Sequence, residues 1–121
     1  MAKPRSDKFA PSEDSIQAAL FQHIALRRCE GVFAYHPANG GQRSLATGRK
    51  LKAMGVKPGV PDVAMVIRGK PHFIELKAER GYMSPAQKLC RDEIQAAGGG
   101  WALCRGLDCA LDQLIEWGAI A

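Results

Sequence analysis

Three ionisable residues, Asp62, Glu75 and Lys77, lie within two short apolar stretches of the chain, 59–67 and 72–77. The stretches are rich in β-branched residues and flank a turn-forming cluster, which predicts two strands joined by a tight loop. Burying a charged group in such a strand is costly unless the charge has a partner. The placement of these charges therefore indicates a chemical role.

Hairpin geometry brings the three side chains together. Side chains alternate between the two faces of a strand, so Glu75 and Lys77 project from the same side. A two-residue loop at 69–70, with residue 68 paired to residue 71, places Asp62 opposite Lys77 and diagonal to Glu75. Two carboxylates and an ammonium then meet at one end of the hairpin.

This grouping suits a divalent metal ion. Mg²⁺ is commonly held by one or two carboxylates, with waters and phosphate oxygens at its other positions. A neighbouring lysine can orient a water or offset charge that develops on a phosphate. The alternative is an exposed salt bridge. The metal site is favoured because both strands are apolar on both faces, as in a sheet covered on both sides, and because Pro61 begins the strand at a position that proline tolerates.

The motif around these residues resembles that of a known nuclease family. Pro61-Asp62 and, after a gap of twelve residues, Glu75-Leu76-Lys77 are similar to the PD-(D/E)xK nuclease signature. The flanking segments 55–62 and 81–87 narrow the resemblance to the virus-type replication-repair nuclease (VRR-NUC) domain. The similarity spans about 13–117, nearly the whole chain.

The resemblance implies a restriction-endonuclease-like fold and a Mg²⁺- or Mn²⁺-dependent endonuclease that hydrolyses DNA phosphodiesters. Asp62 and Glu75 would bind the metal, with the Leu76 carbonyl as a further ligand. Lys77 would position the nucleophilic water.

Two further residues are expected to support this site. Glu13 lies on the inward stripe of a helix predicted to begin after Ser12, and the resemblance implies an acidic site residue there that also binds metal; the alternative is a glutamate that only complements the helix dipole. Gln87 lies at the start of a helix capped by Ser84, where the resemblance implies a catalytic glutamine; the alternative is a surface glutamine.

Nucleic acid is the expected partner. Residues 1–60 carry ten Lys or Arg against four acids (+6), whereas 61–121 carry seven against eight (−1), which suits a polyanion or, as the alternative, only a solvated face. The resemblance places His36 and Asn39 near the catalytic centre, although a histidine at a strand end is more often simply hydrogen-bonded. The basic residues expected to bind phosphates lie just before the metal strand: Arg43, Arg49, Lys50, Lys52 and Lys57. No residue there suggests base readout.

The pattern predicts a single α/β domain over 12–121, preceded by a disordered tail, 1–11. The expected order is αβββαβα, with a basic insertion that could form a short helix: a sandwich around a mixed four-stranded sheet. The apolar contacts of the helices are expected to include Leu45, Met54 and Leu89.

Composition narrows the setting of the protein. No apolar run is long enough to span a membrane and no signal-type segment is present at the N-terminus, which predicts a cytoplasmic protein. The four cysteines lack CxxC spacing, which argues against zinc and predicts buried free thiols.

Short stand-alone proteins of the resembled family imply a homodimer that acts on branched DNA such as four-way junctions, in a bacterial or phage-infected cell. Two alternatives remain open from the residues: a structure-selective DNA-binding module without turnover, and an RNA-processing nuclease.

Overall fold

Four helices and a four-stranded sheet alternate along the part of the chain that the computed structural model describes, residues 11–38 and 45–121. The elements are α1 (Glu13–Arg27), β1 (Val32–Tyr35), α2 (Leu45–Ala53), β2 (Val63–Ile67), β3 (Lys70–Lys77), α3 (Pro85–Ala96), β4 (Gly100–Arg105) and α4 (Leu107–Glu116). This order confirms the predicted architecture, with α2 as the helix of the basic insertion. Most of the tail predicted to be disordered, 1–10, lies outside the described residues.

The sheet is mixed because its connections differ in length. Its strand order is β1-β2-β3-β4, with β1–β2 and β2–β3 antiparallel and β3–β4 parallel. A parallel pair needs a long crossover, and α3 supplies it. Helices α1 and α4 pack together on one face of the sheet, while α3 lies against the other face, where Gly99 approaches Phe73 and Ile94.

The hydrophobic core lies between the sheet and the α1–α4 layer. Ile16, Leu20 and Ile24 of α1 are buried there against alternate residues of β2 and β3. The chain end completes this core: Ala119 and Ile120 are buried, and Ile120 forms an antiparallel bridge with Arg28.

Several predicted burials are wrong. Leu45, Met54 and Leu89 are exposed, because α2 buries none of its residues and α3 buries only Cys90. The thiol prediction holds for Cys90 and Cys104, whereas Cys29 is partly exposed and Cys109 is exposed. Within the two described ranges, no helix combines the length and apolar character needed to cross a membrane.

The β2–β3 hairpin forms as predicted, but its turn lies one residue earlier than expected. Ile67 pairs with Lys70, so Arg68 and Gly69 are the loop residues, with φ of 45° and 84°. Positive φ at both positions is typical of the type I′ turn, which matches the twist of the flanking strands. The register consequently moves by two residues. Because two is the period of a strand, every side chain keeps its predicted face.

Gly59 sets the distance between the approach to β2 and the first turn of α3. Its φ is +75°, and a Cβ there would lie 2.4 Å from the carbonyl carbon and oxygen of Ala86. We expect Gly59→Ala to lower the free energy of unfolding by about 1–2 kcal/mol for the left-handed backbone and by about 1–3 kcal/mol more for the collision.

Gly55→Ala is the matched control for this prediction. Gly55 has a φ of +97° but open space around its Cβ position, so only the backbone cost applies. Denaturant unfolding of both variants measures the difference, and equal losses of stability would contradict the proposed contact.

Candidate active site

Asp62 is held at the start of β2 by two hydrogen bonds. Its Oδ2 accepts a hydrogen bond from the backbone N–H of Leu76 at 2.8 Å, and its main-chain oxygen lies 2.6 Å from Nδ1 of His36. The ladder register, which pairs Val63 with Ile74, continues to place Asp62 directly opposite Glu75 rather than opposite Lys77. The two carboxylates are therefore direct cross-strand neighbours, whereas the predicted register placed them diagonally and farther apart.

Glu75 is the most deeply buried charged side chain of the described residues. It is 2% exposed. Its Oε1 accepts a hydrogen bond from Nε2 of Gln87 at 2.7 Å and lies 3.9 Å from Nζ of Lys77. Its Oε2 is buried and has no hydrogen-bond partner among the described residues. A buried carboxylate oxygen without a partner is costly in a folded protein, and this cost calls for an explanation.

Gln87 is fixed by the cap of α3. Ser84 Oγ accepts a hydrogen bond from the Gln87 N–H at 3.1 Å, and Gln87 Oε1 accepts one from the Ser84 N–H at 2.8 Å, which completes a capping box. The amide oxygen is therefore used by the helix, and the amide nitrogen is left to donate to Glu75. A glutamate could form the same box, but it would place a further carboxylate beside Glu75.

Glu13 also reaches this region, from the first turn of α1. Its Oε2 accepts a hydrogen bond from the backbone N–H of Ala78 at 3.2 Å, one residue beyond Lys77. Its charge acts on both Asp62 and Glu75, since it raises the pKa of each. The structure thus brings together all five residues predicted to form the catalytic group: Glu13, Asp62, Glu75, Lys77 and Gln87.

The electrostatics of the site disfavour two bare carboxylates. Burial, together with the charge of Asp62, raises the pKa of Glu75 from 4.5 to about 8, although Lys77 acts in the opposite direction. Burial also raises the pKa of Asp62, against the hydrogen bond from Leu76. A cation near these two residues therefore favours their charged forms, as Lys77 already does in part.

We expect the metal-free protein to lose stability as pH rises. A folded-state pKa of about 8 for Glu75, above the ordinary 4.5, means that the folded protein binds this proton more tightly than the unfolded chain does. The contribution is complete below about pH 4.5 and is lost as pH rises through about 8. Thermal unfolding in EDTA should show a falling Tm over this range. Glu75→Gln, which does not titrate, should flatten the profile, and a parallel profile for this variant would contradict the assignment.

The donors at the site fit a hard divalent cation. Asp62 and Glu75 supply carboxylate oxygens, including the unpartnered Oε2 of Glu75. In an extended strand the N–H and C=O of one residue point to the same side, so the Leu76 carbonyl faces the side on which its N–H meets Asp62. No group of three or more His, Cys, Asp or Glu side chains in the described residues could hold a metal. Mg²⁺ needs no more than one or two carboxylates, whereas a zinc centre would need a fuller set of protein ligands.

Of the residues predicted to bind nucleic acid, His36 makes a direct contact with a residue of this site. His36 is adjacent to it through the main chain of Asp62. Arg49, Lys50 and Lys52 are exposed on α2, and Lys57 is exposed near α3, where burial raises the pKa of Cys90 and the charge of Lys57 opposes the rise. Asn39 and Arg43 lie outside the described residues.

Arg105 is a neighbour of the site that the sequence did not reveal. It pairs with Lys77 in the β3–β4 register. Its guanidinium donates hydrogen bonds to the carbonyl oxygens of Ala78, Glu79 and Gly81, which holds the loop after β3 in place. The parallel register that brings Arg105 here is set by the α3 crossover, and no local signal in the sequence specifies it.

Comparison with solved structures identifies the fold. One similar chain, named "VRR_NUC domain protein", superposes with a TM-score of 0.70 at 22% identity and covers 89% of this chain and 88% of its own. Another, named "VRR_NUC domain", has a TM-score of 0.57 at 19% identity and covers 86% and 94%. No protein-family model and no curated protein matches the sequence. The chain therefore has the fold of VRR-NUC domains, as the motif predicted.

Proposed function

We propose that this chain, which has the VRR-NUC fold, is a divalent-metal-dependent endonuclease that hydrolyses DNA phosphodiester bonds. The observation that carries the proposal is the buried Glu75 carboxylate, whose Oε2 has no protein partner in the described residues and which lies opposite Asp62 and beside Lys77. The ion pair with Lys77 engages the other oxygen, Oε1, at 3.9 Å and does not satisfy Oε2. A metal ion between the two carboxylates would satisfy it.

In this proposal the protein positions groups and balances charge. Asp62 and Glu75 would hold Mg²⁺ or Mn²⁺, with the Leu76 carbonyl as a further ligand. The metal would polarise a phosphoryl oxygen and lower the pKa of a water. Lys77, whose side chain is 11% exposed, has little freedom to move away from Glu75 and would orient the attacking water or offset charge on the phosphate.

Gln87 and Glu13 act through these residues. Gln87 donates to Glu75 Oε1 and so orients the carboxylate with its other oxygen free. Glu13 fixes the backbone after Lys77 through the Ala78 N–H. Correct placement of the reacting groups supplies a large part of the rate in phosphoryl transfer, because it removes the entropy cost of bringing them together.

The cleavage assay uses plasmid, flap and four-way-junction DNA, each incubated with Mg²⁺, Mn²⁺ or EDTA. We expect cleavage that requires metal and is lost in Glu75→Gln while DNA binding is retained. Binding of these substrates without cleavage in either metal would refute the nuclease proposal and favour a DNA-binding module. An RNA copy of each substrate tests the remaining alternative, since metal and phosphate chemistry does not distinguish the sugar.

We also propose that the protein acts on branched DNA as a homodimer. One subunit carries one candidate active site, whereas resolution of a four-way junction needs two cuts. Light scattering at micromolar concentration, with and without junction DNA, tests this proposal. A dimer in either condition is expected, and a monomer in both would refute it.

A further inference from the structure

Three large apolar side chains lie exposed on β1 and β2. Phe33 is 60% exposed, Tyr35 49% and Val66 41%, on the edge strand β1 and its inner neighbour β2. The two rings are neighbours, with centroids 5.8 Å apart and planes tilted by 38°. We call these three residues the aromatic platform. Their exposure shows that the prediction of a sheet covered on both sides is wrong for this part of the sheet. An exposed apolar patch of this kind usually marks a binding surface.

The platform shares its sheet face with the candidate active site. Tyr35 pairs with Ala64, and Phe33 pairs with Val66. Asp62 and Ala64 are two residues apart, so they project from the same face and are separated by about 7 Å along the strand. Helix α3 covers this face over β4, where Arg91 lies above the ring of Trp101. The platform therefore extends away from the carboxylates on the part of the face that α3 leaves open.

The far end of the platform opens into a pocket of about 520 Å³ lined by Arg28, Glu30, Phe33 and Val66, among others. Arg28 is exposed. Arg28, whose guanidinium also donates a hydrogen bond to the Val32 carbonyl oxygen, thus lies at the pocket end, and Lys77 lies at the other end beyond the two carboxylates. Exposed aromatic rings with cations beyond them suit a single nucleic-acid strand, whose phosphates flank the sugars that carry the bases.

We propose that the aromatic platform binds unpaired nucleobases of a single-stranded segment next to the scissile phosphate. The proposal rests on the proposed nuclease function and adds that, among the branched substrates, those with unpaired nucleotides beside the cut, such as flaps, are bound more tightly than fully paired ones. A duplex keeps its bases stacked inside, where the rings of Phe33 and Tyr35 could not reach them. Stacking on aromatic rings accepts any base, so the platform selects structure and not sequence.

The test is a binding measurement that does not need catalysis. A fluorescein-labelled oligothymidine and a labelled duplex of the same length are titrated by anisotropy, in EDTA and again in Ca²⁺, against wild type, Phe33→Ala, Tyr35→Ala and the double variant. Loss of one ring should weaken single-strand binding by about 5-fold or more, since stacking contributes about 1–3 kcal/mol per base. Duplex affinity should stay within about twofold of wild type.

Tyr82→Ala is the matched control, because Tyr82 is 88% exposed but lies in the loop after β3. It should leave both affinities unchanged. Equal losses for single strand and duplex, an equal loss in Tyr82→Ala, or no loss in the double variant would overturn the proposal. So would light scattering in which the double variant converts a dimer to monomer, because the platform would then be a subunit interface. Absence of cleavage with single-strand binding intact would refute only the nuclease proposal.

Discussion

Asp62→Asn is expected to reduce metal-dependent cleavage by on the order of 10²–10³-fold. The substitution removes the negative charge of one of the two proposed metal ligands, and the metal would then be held less well where charge develops in the transition state. The variant should fold. An asparagine oxygen can still accept the hydrogen bond from the Leu76 N–H that now reaches Asp62 at 2.8 Å. Because burial raises the pKa of Asp62, the charge opposes folding, and the variant should be at least as stable as wild type without metal.

Single-turnover cleavage and thermal unfolding in EDTA check the two parts of this prediction. Asp112→Asn is the control, since Asp112 is exposed on α4, on the opposite side of the sheet from the site. It makes the same chemical change without touching the site. Cleavage within about threefold of wild type for Asp62→Asn would contradict its assignment as a metal ligand.

Lys77→Met is expected to reduce the cleavage rate by a similar factor, on the order of 10²–10³-fold, through loss of the ammonium alone. Methionine keeps most of the apolar stem that is now buried. Metal affinity should be retained or increased, because the ammonium lies 3.9 Å from Glu75 Oε1 and repels a cation placed there. Calorimetric titration with Mn²⁺ and single-turnover cleavage at saturating substrate separate these effects.

Lys70→Met is the matched control for the lysine. Lys70 begins the same strand, β3, but it is exposed at the hairpin end far from the site. Its replacement should leave both the rate and metal binding unchanged. A cleavage rate for Lys77→Met equal to that of Lys70→Met would show that Lys77 has no part in the chemistry.

The sequence predicts which strand residues share the face of the site, because side chains alternate between the two faces of a strand with a period of two residues. Alternation places Glu75 and Lys77 on one face wherever the strand begins, and a hairpin slip of two residues preserves that face. The exact turn was not accessible: it depends on Arg68 accepting a φ of 45°, which an arginine seldom does. The predicted loop at 69–70 gave Gly69 a suitable position but required Lys70 in the same strained region.

The starts of the helices could also be predicted from sequence, since the capping residues lie next to the helices in the chain. Ser12 accepts a hydrogen bond from the Ser15 N–H, and Ser84 forms the capping box with Gln87, as their positions indicated. What each helix buries depends on its neighbours. Leu89 has a core-like residue type, yet it is exposed, because α3 contacts the sheet over a narrow strip centred on Cys90.

Residues that depend on long-range placement were missed. Phe33 and Tyr35 resemble core residues of an inner strand, and only the position of β1 at the edge of the sheet, with no described element over it on that face, leaves them exposed. Arg105 likewise gains its role from the parallel pairing of β4 with β3. Sequence patterns report the faces of single elements, but not which faces remain uncovered after packing.

The most direct test of the account is anomalous diffraction from crystals of the protein grown or soaked with Mn²⁺. We expect one strong anomalous peak within about 2.0–2.4 Å of Glu75 Oε2 and of an Asp62 carboxylate oxygen, a range typical of hard divalent cations on oxygen ligands. Soaking at millimolar Mn²⁺ with no peak near either carboxylate, or with a peak only elsewhere on the surface, would contradict the proposed metal site and the nuclease mechanism built on it.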